Sequence, residues 1–101
     1  MRLKDAVVRT VSIRSPIRNA VVAFDEMTVS VVALITDEVR EGRPIVGYGF
    51  TSNGRYAVTG PLNDRFVPRL LGAEPHELIA ADGTNLDPHR AWDVMMRGEK
   101  P

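Results

Sequence analysis

The sequence predicts an α+β domain, a three-stranded antiparallel β-meander followed by helices, in one domain covering residues 1–101. Three observations carry this. The first half, to about Phe50, is rich in β-branched residues, as pleated, half-buried strands require. From Leu62 onward the apolar residues recur at helical spacing instead. No repeat or low-complexity tract interrupts the chain, and 101 residues is the length of a single small domain.

The first strand is expected from Leu3 to Ile13. Val7, Val11 and Ile13 share one face while Val8, Thr10 and Ser12 face the other way, which reads as a half-buried strand. Thr28 to Thr36 (TVSVVALIT) is a stronger strand, apolar on both faces at its centre. Arg40-Glu41-Gly42-Arg43-Pro44 is a turn, and Ile45 to Phe50 forms the third strand. There Val46, Tyr48 and Phe50 share a face, while Gly47 and Gly49 leave the other bare, where another backbone could approach.

Leu62, Phe66 and Leu70 then repeat at helical spacing, with Pro68 expected to kink or shorten that helix. Pro75 to Leu78 makes one helical turn. Asp87 is an N-cap, Pro88 the first helical residue and Gly98 the stop of the best helix in the chain. Its apolar stripe is Ala91, Trp92, Met95 and Met96, most simply core and otherwise an interface.

Two connections are longer than topology needs: Ser15 to Met27 and Thr51 to Gly60. In an up-down-up meander the exits of strands one and three lie at the same end of the sheet. Long polar loops in a small domain are commonly functional, so the two form a rim built to touch something.

Composition narrows what that something is. Thirteen basic residues balance thirteen acidic ones, which removes the general case for nucleic acid or an anionic membrane as partner. Arg2, Lys4, Arg9, Arg14 and Arg18 make the N-terminal segment basic, but no aromatic interleaves them to stack on bases. Cysteine is absent, so disulfides, thiolate chemistry and Cys-ligated metals are excluded. The longest apolar runs are five residues, and no secretory leader is legible after Met1, so a cytoplasmic location is expected. Folding of a compact chain of this mass removes roughly 10,000 Å² from water, enough for a thin core only.

No acid–base pair, nucleophile or metal cluster emerges. Gly49 to Gly54 has the outline of a phosphate-binding loop, but Arg55 and Tyr56 stand where Lys and a hydroxyl are needed, and Asn53-Gly54 alone is a turn. His76 and His89 fall near helix starts, far apart, as solvent-facing side chains. Asp25-Glu26 and Asp37-Glu38 are sequence neighbours that point to opposite faces of an extended chain. What remains is a recognition element: amides Asn19 and Asn53 and cations Arg18, Arg55 and Lys100 at rims or ends, able to orient a ligand but not to abstract a proton.

Three segments carry a family resemblance: Ser15-Pro16-Ile17-Arg18-Asn19-Ala20, Val46-Gly47-Tyr48-Gly49-Phe50-Thr51-Ser52-Asn53-Gly54-Arg55-Tyr56, and Asn85-Leu86-Asp87-Pro88 with Met95-Met96-Arg97-Gly98-Glu99-Lys100-Pro101. Together they resemble the N-terminal capping domain of the enolase superfamily, mandelate racemase/muconate lactonizing type, and are most similar to its D-tartrate dehydratase-like members. The likeness covers essentially the whole chain. It implies a cap whose two loops close over the mouth of a (β/α)₈ barrel and select the substrate.

By that resemblance Asn19 and Asn53 hydrogen-bond hydroxyl and carboxylate oxygens of a small hydroxy acid or aldarate, and Lys100 supplies positive charge to a carboxylate. Arg55 and Tyr48 would support the second loop without touching the ligand. The implied chemistry is dehydration initiated by removing the proton α to a carboxylate, with Mg²⁺ and the acid–base groups held by the chain's own C-terminal barrel. The chain stops at Pro101, where the family pattern continues into that barrel. A truncated copy, inactive alone and homo-oligomeric at full length, is therefore expected. Thr51 and Ala57 depart from the pattern of the closest members, which widens the implied substrate beyond D-tartrate. A stand-alone module binding a small ligand or a protein, without catalysis, is the alternative.

Overall fold

A computed structural model describes residues 1–13, 16–21, 27–51 and 58–99. Its sheet is the expected meander. Strands β1 (Leu3–Ser12), β2 (Thr28–Arg40) and β3 (Arg43–Thr51) lie in the order β1-β2-β3, every neighbouring pair antiparallel. Strand β2 continues past Thr36 to Arg40, because the hairpin draws Val39 and Arg40 into register with Pro44 and Arg43. The turn is two residues long, with φ of +53° at Glu41 and +77° at Gly42. Two successive positive-φ residues match the right-handed twist of the flanking strands, and glycine takes the second position without a steric cost. Pro44 is tolerated because β3 is an edge strand, where a missing N–H breaks no inner ladder.

The alternation along β1 is as expected, but its buried face is the less apolar one. Val8 is 6% exposed, whereas Val11, in the more apolar set, is 47% exposed. Thr10 and the buried Ser30 lie opposite each other across β1 and β2, and both hydroxyls reach Thr59 at the start of the helical region. Helices cover the Val8/Thr10 face, and among the described residues no layer covers the Val7/Val11 face.

The helical region starts with α1 (Thr59–Pro61), passes through a π turn at Leu62–Phe66, and continues as α2 (Val67–Gly72). The π turn answers Pro68. A proline ring clashes with the carbonyl four residues back in a regular α-helix. Here the Val67 N–H donates to the Leu62 carbonyl, five residues back, and the widened turn lets the helix run on through the proline.

Helix α3 (Pro75–Leu78) is the single turn expected, closed by a capping box between Glu74 and Glu77. Helix α4 (Pro88–Met95) starts on Asp87, whose Oδ1 accepts from the His89 N–H at 2.8 Å and the Arg90 N–H at 3.4 Å. Gly98, at φ +81°, follows its end. The stripe of α4 is rotated from expectation. Val94 joins Leu70 and Leu78 in the buried cluster, with Leu3, Leu86, Ala91 and Met95 packed around it, while Trp92 is 58% exposed. Trp92 is therefore not core. Among the described residues no helix is long and apolar enough to cross a membrane.

Candidate functional site

The two long connections leave from the same end of the sheet. Ser12, the last residue of β1, pairs with Thr28, and Thr51, the last of β3, pairs with Ser30 two residues further along β2. The Thr59 hydroxyl, 2.6 Å from that of Thr10 and 2.7 Å from that of Ser30, ties the start of the helical region to this same end. The rim thus rests on a sheet edge and a helix start held by short hydroxyl contacts.

Of the residues the sequence put on the rim, Asn19 is described. Its Oδ1 accepts the Val21 N–H at 2.8 Å, a local turn that fixes the carboxamide's direction in an exposed loop. Asn53, Arg55 and Lys100 lie outside the described residues. Arg18 is exposed. Tyr48 is 77% exposed on the uncovered face of β3. The residue before Lys100 is well anchored: Glu99 forms ion pairs with Arg65 and with Arg69, the latter at 2.9 Å. Arg69 also donates to the Met95 carbonyl at 2.6 Å. The chain therefore passes residue 99 alongside the helix that begins at Thr59, and Arg65 stands about 9 Å along the axis from Thr59 at a helical rise of about 1.5 Å per residue.

The Gly47 and Gly49 positions are open, with nothing within 4 Å of where a Cβ would stand. Among the described residues no backbone makes the close approach that their spacing invites.

The clefts among the described residues lie elsewhere. An open cleft of about 550 Å³ runs between the start of β1 and the α2–α3 connection, with Arg2, Lys4 and Asp37 at its polar side. It sits at the Leu3–Thr36 end of the sheet, away from the loop rim. Asp37 is already committed there, its Oδ1 accepting the Arg2 N–H at 2.8 Å. A second, almost wholly apolar groove of about 290 Å³ opens between the sheet and α4 over Leu34, Leu86 and Met95.

Two carboxyls are displaced from their ordinary range. Glu77 is lowered first by the Glu74 N–H and then by the Arg97 guanidinium at 2.9 Å. Asp82 is lowered by the backbone N–H and hydroxyl of Thr84. Both are helix- and turn-capping interactions, and Glu77 is in addition ion-paired to Arg97. His76 and His89 are exposed near the starts of α3 and α4. Among the described residues no three His, Asp or Glu side chains converge on a point that could hold a metal.

Sequence reasoning missed the hydroxyl triad and the Arg65–Arg69–Glu99 cluster. Thr59 stands 29 and 49 residues from Ser30 and Thr10, and Glu99 stands 30 residues from Arg69, so no local spacing joins Thr59 or Glu99 to its partners.

The chain also exposes 7468 Å² to solvent, where a compact monomer of its mass exposes about 5,700 Å². About 8,800 Å² is removed from water on folding, less than the sequence length led one to expect. No family model matches the chain.

Proposed function

We propose that this chain is the substrate-selecting cap of a sugar-acid or hydroxy-acid dehydratase resembling the D-tartrate dehydratase-like members of the enolase superfamily. The observation that carries the reading is the shared exit of the two long connections at the Ser12 and Thr51 end of the meander. A cap needs that arrangement, because two loops must reach one mouth.

In this role Asn19 and Asn53 orient hydroxyl and carboxylate oxygens of the acid, and Lys100 attracts a carboxylate. In this reading Mg²⁺ and the proton-transferring residues would be held by the barrel, where the metal would stabilise the charge that develops on the carboxylate. The cap's contribution is orientation and exclusion of water. The natural location of such an enzyme is the cytoplasm.

The test is the reading frame and its product. The frame is expected to continue past Pro101 into a barrel of more than about 200 residues. The resulting protein should dehydrate an aldarate or a small hydroxy acid in the presence of Mg²⁺, and the 101-residue chain should not. A frame ending at Pro101, or turnover by the short chain alone, overturns the proposal.

A further inference from the structure

The face of the meander opposite the helices carries Val7, Ala33 and Tyr48 in one cross-strand row. Asp5, Ile35 and Val46 form the row on one side of it, and Arg9, Val31 and Phe50 the row on the other. Tyr48 is 77% and Phe50 74% exposed. We propose that this face is a homodimer interface, occupied by a second copy of the chain packed sheet on sheet.

The pattern of the rows is self-complementary. A two-fold axis running across the strands at the level of Val7 lays each strand over its own copy, antiparallel. The Asp5 row of one protomer then faces the Arg9 row of the other. That opposes Asp5 to Arg9 twice, opposes the small Val46 to the large Phe50 twice, and sets the Val7, Ala33 and Tyr48 row along the axis, each residue facing its own copy. The two charges sit on the same strand four residues apart and are locally directed, Asp5 Oδ1 by the Ala6 N–H at 2.8 Å and Arg9 Nη1 by the Val8 carbonyl at 3.0 Å. Face-to-face sheets stand about 10 Å apart, the spacing at which such side chains interdigitate.

The area suffices. Tyr48 and Phe50 each keep about three-quarters of their surface, about 150 Å² per side chain. Two copies bring about 600 Å² from these aromatics alone, more than half of the roughly 1,000 Å² a specific interface needs. Val11 and the β-branched residues of β2 supply the rest. This inference is independent of the cap reading, because the loop rim and the sheet face are different surfaces.

Sedimentation velocity and light scattering of the purified chain, from about 1 to 100 μM, test it. The expected mass is twice the 11.2 kDa of the chain. Phe50→Arg, at an exposed site that leaves the far-ultraviolet circular dichroism unchanged, should weaken the dimer at least about thirtyfold, as for an interface anchor. Asp5→Arg and Arg9→Asp should each weaken it about tenfold by placing like charges together, and the double variant D5R/R9D should recover most of that loss. A monomer throughout overturns the proposal and assigns the face to another partner. So does a dimer that survives Phe50→Arg, or a double variant as weak as the singles.

Discussion

Ser30 and Thr59 share a 2.7 Å hydrogen bond between hydroxyls across 29 residues of sequence. It joins the buried face of the central strand to the first residue of the helical region. Thr10, 2.6 Å from the same Thr59 oxygen, makes it a three-hydroxyl cluster. Since Ser30 is buried, losing its partner leaves a polar atom away from water. Thr59→Val is therefore expected to destabilise the fold by about 1–2 kcal/mol, more than an exposed hydroxyl would. Urea unfolding should also show Ser30→Ala plus Thr59→Val to be less than additive, because both remove the same bond. Additive losses would mean that the two hydroxyls act separately.

Asp87 offers a cleaner measurement of local stability. Its carboxylate receives two backbone N–H groups at the start of α4, and its own N–H donates to the Leu78 carbonyl at 2.8 Å. Asp87→Ala removes the side-chain contacts alone and should cost about 1 kcal/mol, while Asp87→Asn, which keeps an accepting oxygen, should cost only a few tenths. Equal losses in the two variants would show that charge at the helix start, not the hydrogen bonds, stabilises α4.

The pH response follows from Glu77. Its pKa in the folded chain lies below the ordinary glutamate value, held there by the Glu74 N–H and by Arg97. A depressed carboxyl binds fewer protons folded than unfolded, so its stabilisation is present above the unfolded pKa and is lost as pH falls through the folded one. The stability difference between the natural chain and Glu77→Gln should therefore be constant near neutrality and shrink below about pH 4.3. Asp82, lowered by Thr84, adds to the same acid loss. A difference that stays constant down to pH 3 in urea titrations would remove Glu77 from the account.

How far the sequence reached depends on the range of the physics involved. The meander, the Asp87 cap and the Gly98 stop were legible because periodicity, capping and turn chemistry act over a few residues. The choice of buried face on β1 was not. Counting apolar residues favours Val7 and Val11, but the helical region packs on the Val8 face, where Thr59 also meets Thr10 and Ser30. The same holds for α4, where Val94 rather than Trp92 turns inward because Leu70 and Leu78 approach from that side. Pro68 signalled a disturbance in the helix but not its form, since a kink, a break and a π turn all relieve the same clash. At the rim, strand order alone placed the ends of β1 and β3 at one end of the sheet, whereas the direction of the Asn19 amide depends on a local turn that no period encodes.

Asn19 separates a turn former from a ligand contact. Its oxygen already accepts the Val21 N–H, a role that an aspartate oxygen fills equally well. In the barrel-containing protein, Asn19→Asp thus keeps that hydrogen bond but sets a negative charge before an anionic substrate. If Asn19 faces the acid, kcat/KM should fall by about tenfold or more, mostly through KM, and the loss should lessen at high ionic strength. Asn53→Ala, lacking any compensating oxygen, should lower kcat/KM by no more than about 2 kcal/mol equivalent through lost orientation. Unchanged kinetics in Asn19→Asp would confine that residue to shaping its loop, and would shift the weight of substrate recognition to the connection after β3.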